Sequence, residues 1–183
     1  MGSLGSTDLK RLHREWRRRS SARLAIGLDG VQGPFNVGGI LRTAAAYRVE
    51  HCWLTLNATG PDNPKVGKTA LGSERFTTVE RVADGGAIAE AARSSGFRVV
   101  GVELATGATP IFEYDLRGDV CLIVGNEDHG LSRGAIAACD ELVYIPQLGS
   151  IGSLNVATAA SIACYEWARQ QLMAPPAGSD SSH

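Results

Sequence analysis

No window of this 183-residue sequence approaches the roughly 20 apolar residues that a membrane-spanning helix requires. The N-terminus lacks the apolar core of a secretion signal, so the expectation is a cytoplasmic protein with no membrane partner. Cysteine is sparse. Cys52, Cys121, Cys139 and Cys164 are scattered without the close pairs of a zinc site or a disulfide framework, and they read as reduced core thiols. No metal site is expected. The Gly-x-Gly-x-x-Gly turn that would hold a dinucleotide pyrophosphate does not follow the first strand, which speaks against a nucleotide-dependent oxidoreductase. Internal repeats and interior low-complexity runs are also missing.

What remains is the make-up of one folded unit. At 44% hydrophobic and 20% charged residues, the chain can bury a core and keep a polar surface. β-favouring apolar runs at 24–28, 51–56, 77–81, 98–103, 120–124 and 142–145 alternate with helical patterns at 37–47, 65–71, 85–95, 133–139 and 154–172. Such alternation predicts an α/β protein, a mostly parallel sheet flanked by helices. Residues 174–183, rich in proline, glycine and serine, have no apolar periodicity and are expected to be disordered.

The net charge of −1 conceals a strong asymmetry. Residues 1–23 carry seven basic groups (Lys10, Arg11, Arg14, Arg17, Arg18, Arg19 and Arg23) against Asp8 and Glu15, a net +5. The remaining 160 residues carry 11 basic and 17 acidic groups, a net −6. Thr7 can cap a helix over 8–20 with Leu9, Leu12 and Trp16 on one stripe. Two readings stand for this arm. Its arginines bind nucleic-acid phosphates, gaining affinity by counterion release, or its Leu/Trp stripe packs on the body while the charges face water.

Three stretches have the composition of a ligand site. In 141–169, a short strand stops at Pro146, a loop with Gly149 and Gly152 follows, and Ser153 suits the N-cap of a long helix. In 28–48, Asn36 can cap a helix on which Arg42 lies two turns in, and that pair suits a phosphate or a ribose. In 121–133, an apolar strand ends in Gly125, Asn126 and Glu127, with a loop closed by Gly130 and Ser132. Polar clusters at the carboxyl ends of strands are where α/β sheets bind ligands. Each stretch alone also fits an ordinary strand-to-helix connection.

Together, in this order and spacing, they resemble the three signature motifs of the SpoU/TrmH family, the RNA ribose 2′-O-methyltransferases of the SPOUT superfamily. The first is similar in Asn36, Gly38, Ile40, Arg42, Thr43 and Ala44, the second in Val124, Gly125, Glu127 and Gly130, and the third in Ile145, Pro146, Gly149, Ser153, Leu154, Asn155 and Val156. The resemblance spans residues 24–172. It implies a SPOUT-type fold over 24–173 with a deep C-terminal trefoil knot, an exception to un-knotted topology, and a homodimer. It implies that S-adenosylmethionine is held largely by backbone groups at Gly125, Ile145 and Leu154, with Leu104, Asn126 and Gln147 beside it. Gln147 stands where methionine is commoner, Asn126 where a small residue is, and Ala157–Thr158 where Ser–Val is.

The resemblance also implies the catalytic set Arg42, Asn36, Glu127, Ser153 and Asn155. A sulfonium methyl is a strong electrophile, so the enzyme must align a ribose 2′-hydroxyl with it and accept the hydroxyl proton. In the family view the arginine is the base. An arginine side chain releases its proton only above pH about 12, so Arg42 is left between base and phosphate clamp. His129 reads as a surface residue. For the substrate, the resemblance favours tRNA, guanosine 2′-O in the D-loop, over 23S rRNA, because family members acting on that guanosine are often single domains with short basic ends such as the arm with Arg11, Arg14, Arg17, Arg18 and Arg19, whereas those acting on rRNA often carry a separate N-terminal RNA-binding domain. A catalytically silent RNA-binding module is the rival, against which the presence of all five catalytic residue types speaks.

Overall fold

The computed structural model describes residues 3–173, so the tail expected to be disordered lies outside the described residues. Among the described residues, seven strands are formed: β1 (Leu24–Asp29), β2 (Val49–Thr55), β3 (Thr78–Val82), β4 (Arg98–Val102), β5 (Thr109–Pro110), β6 (Val120–Gly125) and β7 (Glu141–Tyr144). Six helices accompany them: α1 (Ser6–Arg17), α2 (Pro34–Ala46), α3 (Pro64–Ala70), α4 (Gly85–Ser94), α5 (Arg133–Ala138) and α6 (Val156–Met173), with one 3₁₀ turn at Ser73–Phe76. The strands join in the order β3-β2-β1-β6-β4-β7-β5, and every named pair is parallel.

A parallel sheet is covered on both faces, which is why β1 and β6 are buried at every position and apolar except for the Asp29 that ends β1. Alternate residues of one strand serve different cores. Leu24, Ile26 and Leu28 join the cluster beneath α2, α3 and α6, whereas Ala25 joins Ile88, Ala89, Ala92 and Ala135 from α4 and α5. Helix α4 comes so close to β1 that a β-carbon on Gly27 would lie 2.5 Å from the Ile88 side chain. The thiols of Cys52, Cys121 and Cys164 are free and buried, and burial pushes Cys52 and Cys164 up to about 12, so they are inert filling. Among the described residues, no helix is long and apolar enough to cross a membrane.

Several local expectations change. Helix α1 begins at Ser6 and its N-cap is Gly5 with no side-chain bond, so Thr7 lies inside the first turn instead of capping it. No residue of α1 is buried, and Leu9 and Trp16 are each 42% exposed, so the stripe is not packed on the body. Helix α2 starts at Pro34, whose fixed φ and missing N–H suit a first helical position, which moves Asn36 from the cap into the first turn. Helix α6 starts two residues later than the apolar pattern suggests. Asn155, not Ser153, accepts from the N–H groups of Ala157 (3.0 Å) and Thr158 (3.2 Å). Strand β5 and the 3₁₀ turn had no sequence signal, one being two residues long and the other four.

Candidate functional site

The carboxyl ends of β4, β6 and β7 lie side by side in the sheet, and the chain leaving them encloses a cleft of about 350 Å³. That volume falls within the range of small-molecule sites. Val102, Leu104, Ile145, Leu154 and Val156 give it an apolar side, and residues 125–130 give it a polar rim.

Each wall is fixed by a small number of side chains. Glu103, just past β4, accepts from the N–H of Leu104 (3.0 Å) and of Leu131 (2.8 Å), which ties the β4 end to the loop after β6. The buried carboxylate of Asp29 accepts from Ser132 N–H at 2.7 Å, and the Ser132 hydroxyl caps α5 by accepting from Ala135. At Gly125 the loop folds back so tightly that a β-carbon would sit 2.1 Å from the Gly130 carbonyl carbon, and Gly130 itself has a positive φ of 66°. Asn126 is committed to the same loop. Its Nδ2 donates to Gly30 C=O at 2.7 Å, and its Oδ1 accepts from Asp128 and His129 N–H. The side chain of Asn126 therefore fastens the loop, while the residue itself lines the cleft.

A line of hydrogen bonds runs from this rim through all three motif stretches. Glu127 accepts from Gln32 N–H (3.1 Å), Gly33 N–H (2.8 Å) and Asn36 Nδ2 (2.8 Å). Burial pushes the Glu127 carboxyl up, but these donors outweigh it and hold it below its ordinary value. An ionised carboxylate only accepts, so the amide of Asn36 must turn its nitrogen to Glu127. Its oxygen is then free to accept from Asn155 Nδ2 at 2.9 Å, which in turn aims the Asn155 oxygen at the N-terminus of α6. A second tie, between the hydroxyls of Thr43 and Ser161 at 2.8 Å, holds α2 against α6.

The expected ligand residues Leu104, Gly125, Asn126, Ile145, Gln147 and Leu154 all line the cleft, together with Glu127 and Ser153. Asn36 and Asn155 stand behind its rim and join it through Glu127. Arg42 does not line the cleft of its own chain; it is exposed on α2, more than a turn beyond Asn36. Arg11, Arg14, Arg17, Arg18 and Arg19 are exposed on or just beyond α1, with Arg19 4.4 Å from the Trp16 ring. Arg23, counted with the arm by charge, is instead bound to Asp119 at 2.7 Å on the body. Sequence reading missed Glu103 and Asp29. The available signal was a lone acidic residue closing an apolar strand, as at the ends of β4 and β1.

Known proteins share this architecture. The model of the SpoU rRNA Methylase family matches residues 23–165. The 23S rRNA (guanosine-2′-O-)-methyltransferase RlmB of Acinetobacter baylyi is 36% identical over 152 residues, covering 81% of this chain and 60% of the relative. Among solved structures, the SpoU methyltransferase AviRb from Streptomyces viridochromogenes in complex with AdoMet is 31% identical with a TM-score of 0.76, covering 85% of this chain and 63% of that one. The TrmH/SpoU tRNA modifying enzyme of A. aeolicus is 27% identical with a TM-score of 0.72, covering 89% and 83%. The chain spans about 60% of the length of the curated relatives it matches. Given the match over residues 23–165, the chain belongs to the SpoU rRNA methylase family.

Proposed function

We propose that the chain methylates the 2′-hydroxyl of an RNA ribose with S-adenosylmethionine as donor. The reading rests chiefly on the Glu127–Asn36–Asn155 line, which joins three sequence-distant loops at the rim of one cleft. The apolar side of the cleft suits an adenine ring, and Gly125, Ile145 and Leu154 offer backbone groups in it, with Leu104 and Gln147 adjoining. When bound, the donor supplies a sulfonium methyl that needs no further activation.

The chain's own residues then have to place a ribose and handle its proton. Asn36 and Asn155 orient the ribose end of the RNA and Ser153 forms the lip of the cleft. Glu127, kept ionised by its donors, is a poor proton acceptor and serves to lock the loops. Arg42 binds the flanking phosphate and stabilises the alkoxide as it develops. Its exposed position on α2 suits a homodimer in which Arg42 of one copy serves the cleft of the other. The segment from β7 into α6 passes through the preceding loops as a deep trefoil knot. The arginines of α1 hold more distant phosphates.

For the RNA, 23S rRNA is the first reading, because curated relatives at 34–36% identity are named as 23S rRNA guanosine methyltransferases. A tRNA is the second, suggested by the tRNA modifying enzyme of A. aeolicus at lower identity. Either RNA places the protein in the cytoplasm. Equilibrium dialysis with S-adenosylmethionine tests the donor, and the absence of binding would discard the reading in favour of a silent RNA-binding module. Mapping 2′-O-methyl sites in rRNA and tRNA from cells with and without the gene separates the two substrates.

A further inference from the structure

Away from the cleft, two large apolar side chains stand in the open on α3 and the 3₁₀ turn that follows it. Leu71 is 66% exposed and Phe76 63%. Leu71 also has a positive φ of 52°, at the end of α3 where glycine is the common choice. A glycine at 71 would make the same turn without the steric cost, and an exposed leucine recovers little by burial, so the fold alone does not account for this side chain. Cations accompany the pair. The Arg75 guanidinium lies 4.8 Å from the centre of the Phe76 ring, and Lys65 and Lys68 are exposed, one turn apart, on α3 just before Leu71. Residues 34–76 carry five basic groups against three acidic ones, whereas the rest of the chain beyond residue 23 carries six against fourteen. This face is tied to the first turn of α2, which holds Asn36. The Thr69 hydroxyl donates to Phe35 C=O at 3.3 Å, α3 comes so close to α2 that Gly38 has no room for a β-carbon beside Thr69, and the 3₁₀ turn also packs on α2.

We propose that Leu71 and Phe76 form a shelf on which an unpaired RNA base stacks beside the nucleotide being methylated, with Arg75, Lys65 and Lys68 holding the adjoining phosphates; the inference rests on the RNA reading above. A single-stranded nucleotide presents a flat apolar face joined to an anion, and the two halves match an exposed ring and leucine set among three cations. A duplex fits less well, because its bases are already stacked on one another. A second copy of this chain is the poorer occupant too, since a two-fold contact through this face would bring the same three cations of both copies together.

The test is fluorescence anisotropy with a short labelled RNA of mixed sequence, single-stranded or paired with its complement, on the full chain and its variants. Phe76→Ala binds the single strand about tenfold more weakly than the parent, the worth of one base stacked on an aromatic ring. It binds the duplex within about twofold of the parent, the scatter of unrelated changes. Its salt slope is unchanged because no charge is lost, whereas Arg75→Gln flattens the slope by about 0.7, one single-strand phosphate contact. Phe76→Trp keeps the single-strand affinity. Leu71→Gly also weakens the single strand, yet melts no lower than the parent because glycine relieves the left-handed backbone. The proposal is overturned if Phe76→Ala binds the single strand as the parent does, if it weakens duplex and single strand equally, if Phe76→Trp loses the affinity, or if Leu71→Gly melts lower, which would make the leucine a packing residue. It is also overturned if Phe76→Ala splits a parent dimer into monomers in sedimentation, which would assign the face to a subunit contact. A parent that binds neither RNA overturns the RNA reading, and this inference with it.

Discussion

Glu127 accepts from Gln32, Gly33 and Asn36 most strongly while it is ionised, so the strength of the line linking the three stretches depends on its charge. Its native value is held below 4.5, so its contribution to stability is fully present above 4.5 and is lost as the pH falls through the lowered native value. Glu127→Gln keeps the shape but turns one acceptor into a donor facing donors. At pH 7 the variant melts below the parent, and the gap in Tm closes in acid. A gap that is unchanged from pH 7 to below the carboxylate range would show that the loops are held by something other than this charge. The same residue shows how far one-dimensional reading extends. That Glu127 belonged to a site was legible from its place at the end of an apolar strand, but its partners lie more than 90 residues away, and only the fold brings them into reach.

At the scale of elements, sequence pattern found every helix and all strands but the two-residue β5, most plainly the central β1 and β6, where burial on both faces leaves long apolar runs. It failed at the ends. Three good capping residues, Thr7, Asn36 and Ser153, are not caps, and in each case a neighbour took the position: Gly5, Gly33 before Pro34, and Asn155. Asn155 thus has two duties, one to α6 and one to Asn36. Asn155→Ala should cost about 1 kcal/mol through the missing cap, whereas Asn155→Asp keeps the cap but loses the donor to Asn36. A denaturation series in which Asp recovers stability while methyl transfer stays low would separate the duties; equal recovery of both would make Asn155 a cap only.

Helix α1 presents the plainest contrast between charge and burial. Its Leu9, Leu12 and Trp16 stripe looked fit to pack, yet no residue of the helix is buried, which leaves its arginines free to meet a polyanion. Replacing Arg14, Arg17, Arg18 and Arg19 by glutamine preserves helix propensity and removes four charges. RNA affinity should fall, and the slope of log affinity against log salt should flatten by about 0.7 to 0.9 for each phosphate that is no longer neutralised. S-adenosylmethionine affinity should stay the same, since the cleft is built wholly from residues 102–159. An unchanged salt slope would move the RNA surface to the body, around Arg42, Lys65 and Lys68.

At the scale of the whole molecule, the cleft and the hydrogen-bonded line behind its rim bring together every expected catalytic and donor-site residue except Arg42, which is exposed on α2 outside the cleft of its own chain. A two-fold dimer that pairs the α2 and α6 faces would bring it to the other copy's site, and those faces carry the exposed side chains of Phe35, Ile162 and Tyr165. Mixing two inactive variants tests this. Arg42→Ala should lose methyl transfer by orders of magnitude while still binding S-adenosylmethionine. Leu154→Trp should fill the cleft and lose donor binding while keeping its own Arg42. If Arg42 acts across the interface, a mixed dimer has one site with both defects and one with neither. An equal mixture that exchanges subunits freely should then recover about a quarter of the parent activity, since half of the dimers are mixed and each has one intact site. If Arg42 serves its own chain, every site in the mixture carries one defect and no activity returns. Sedimentation run on the same mixture ensures that dimers are present when the activity is read, so a silent mixture of dimers assigns Arg42 to its own chain.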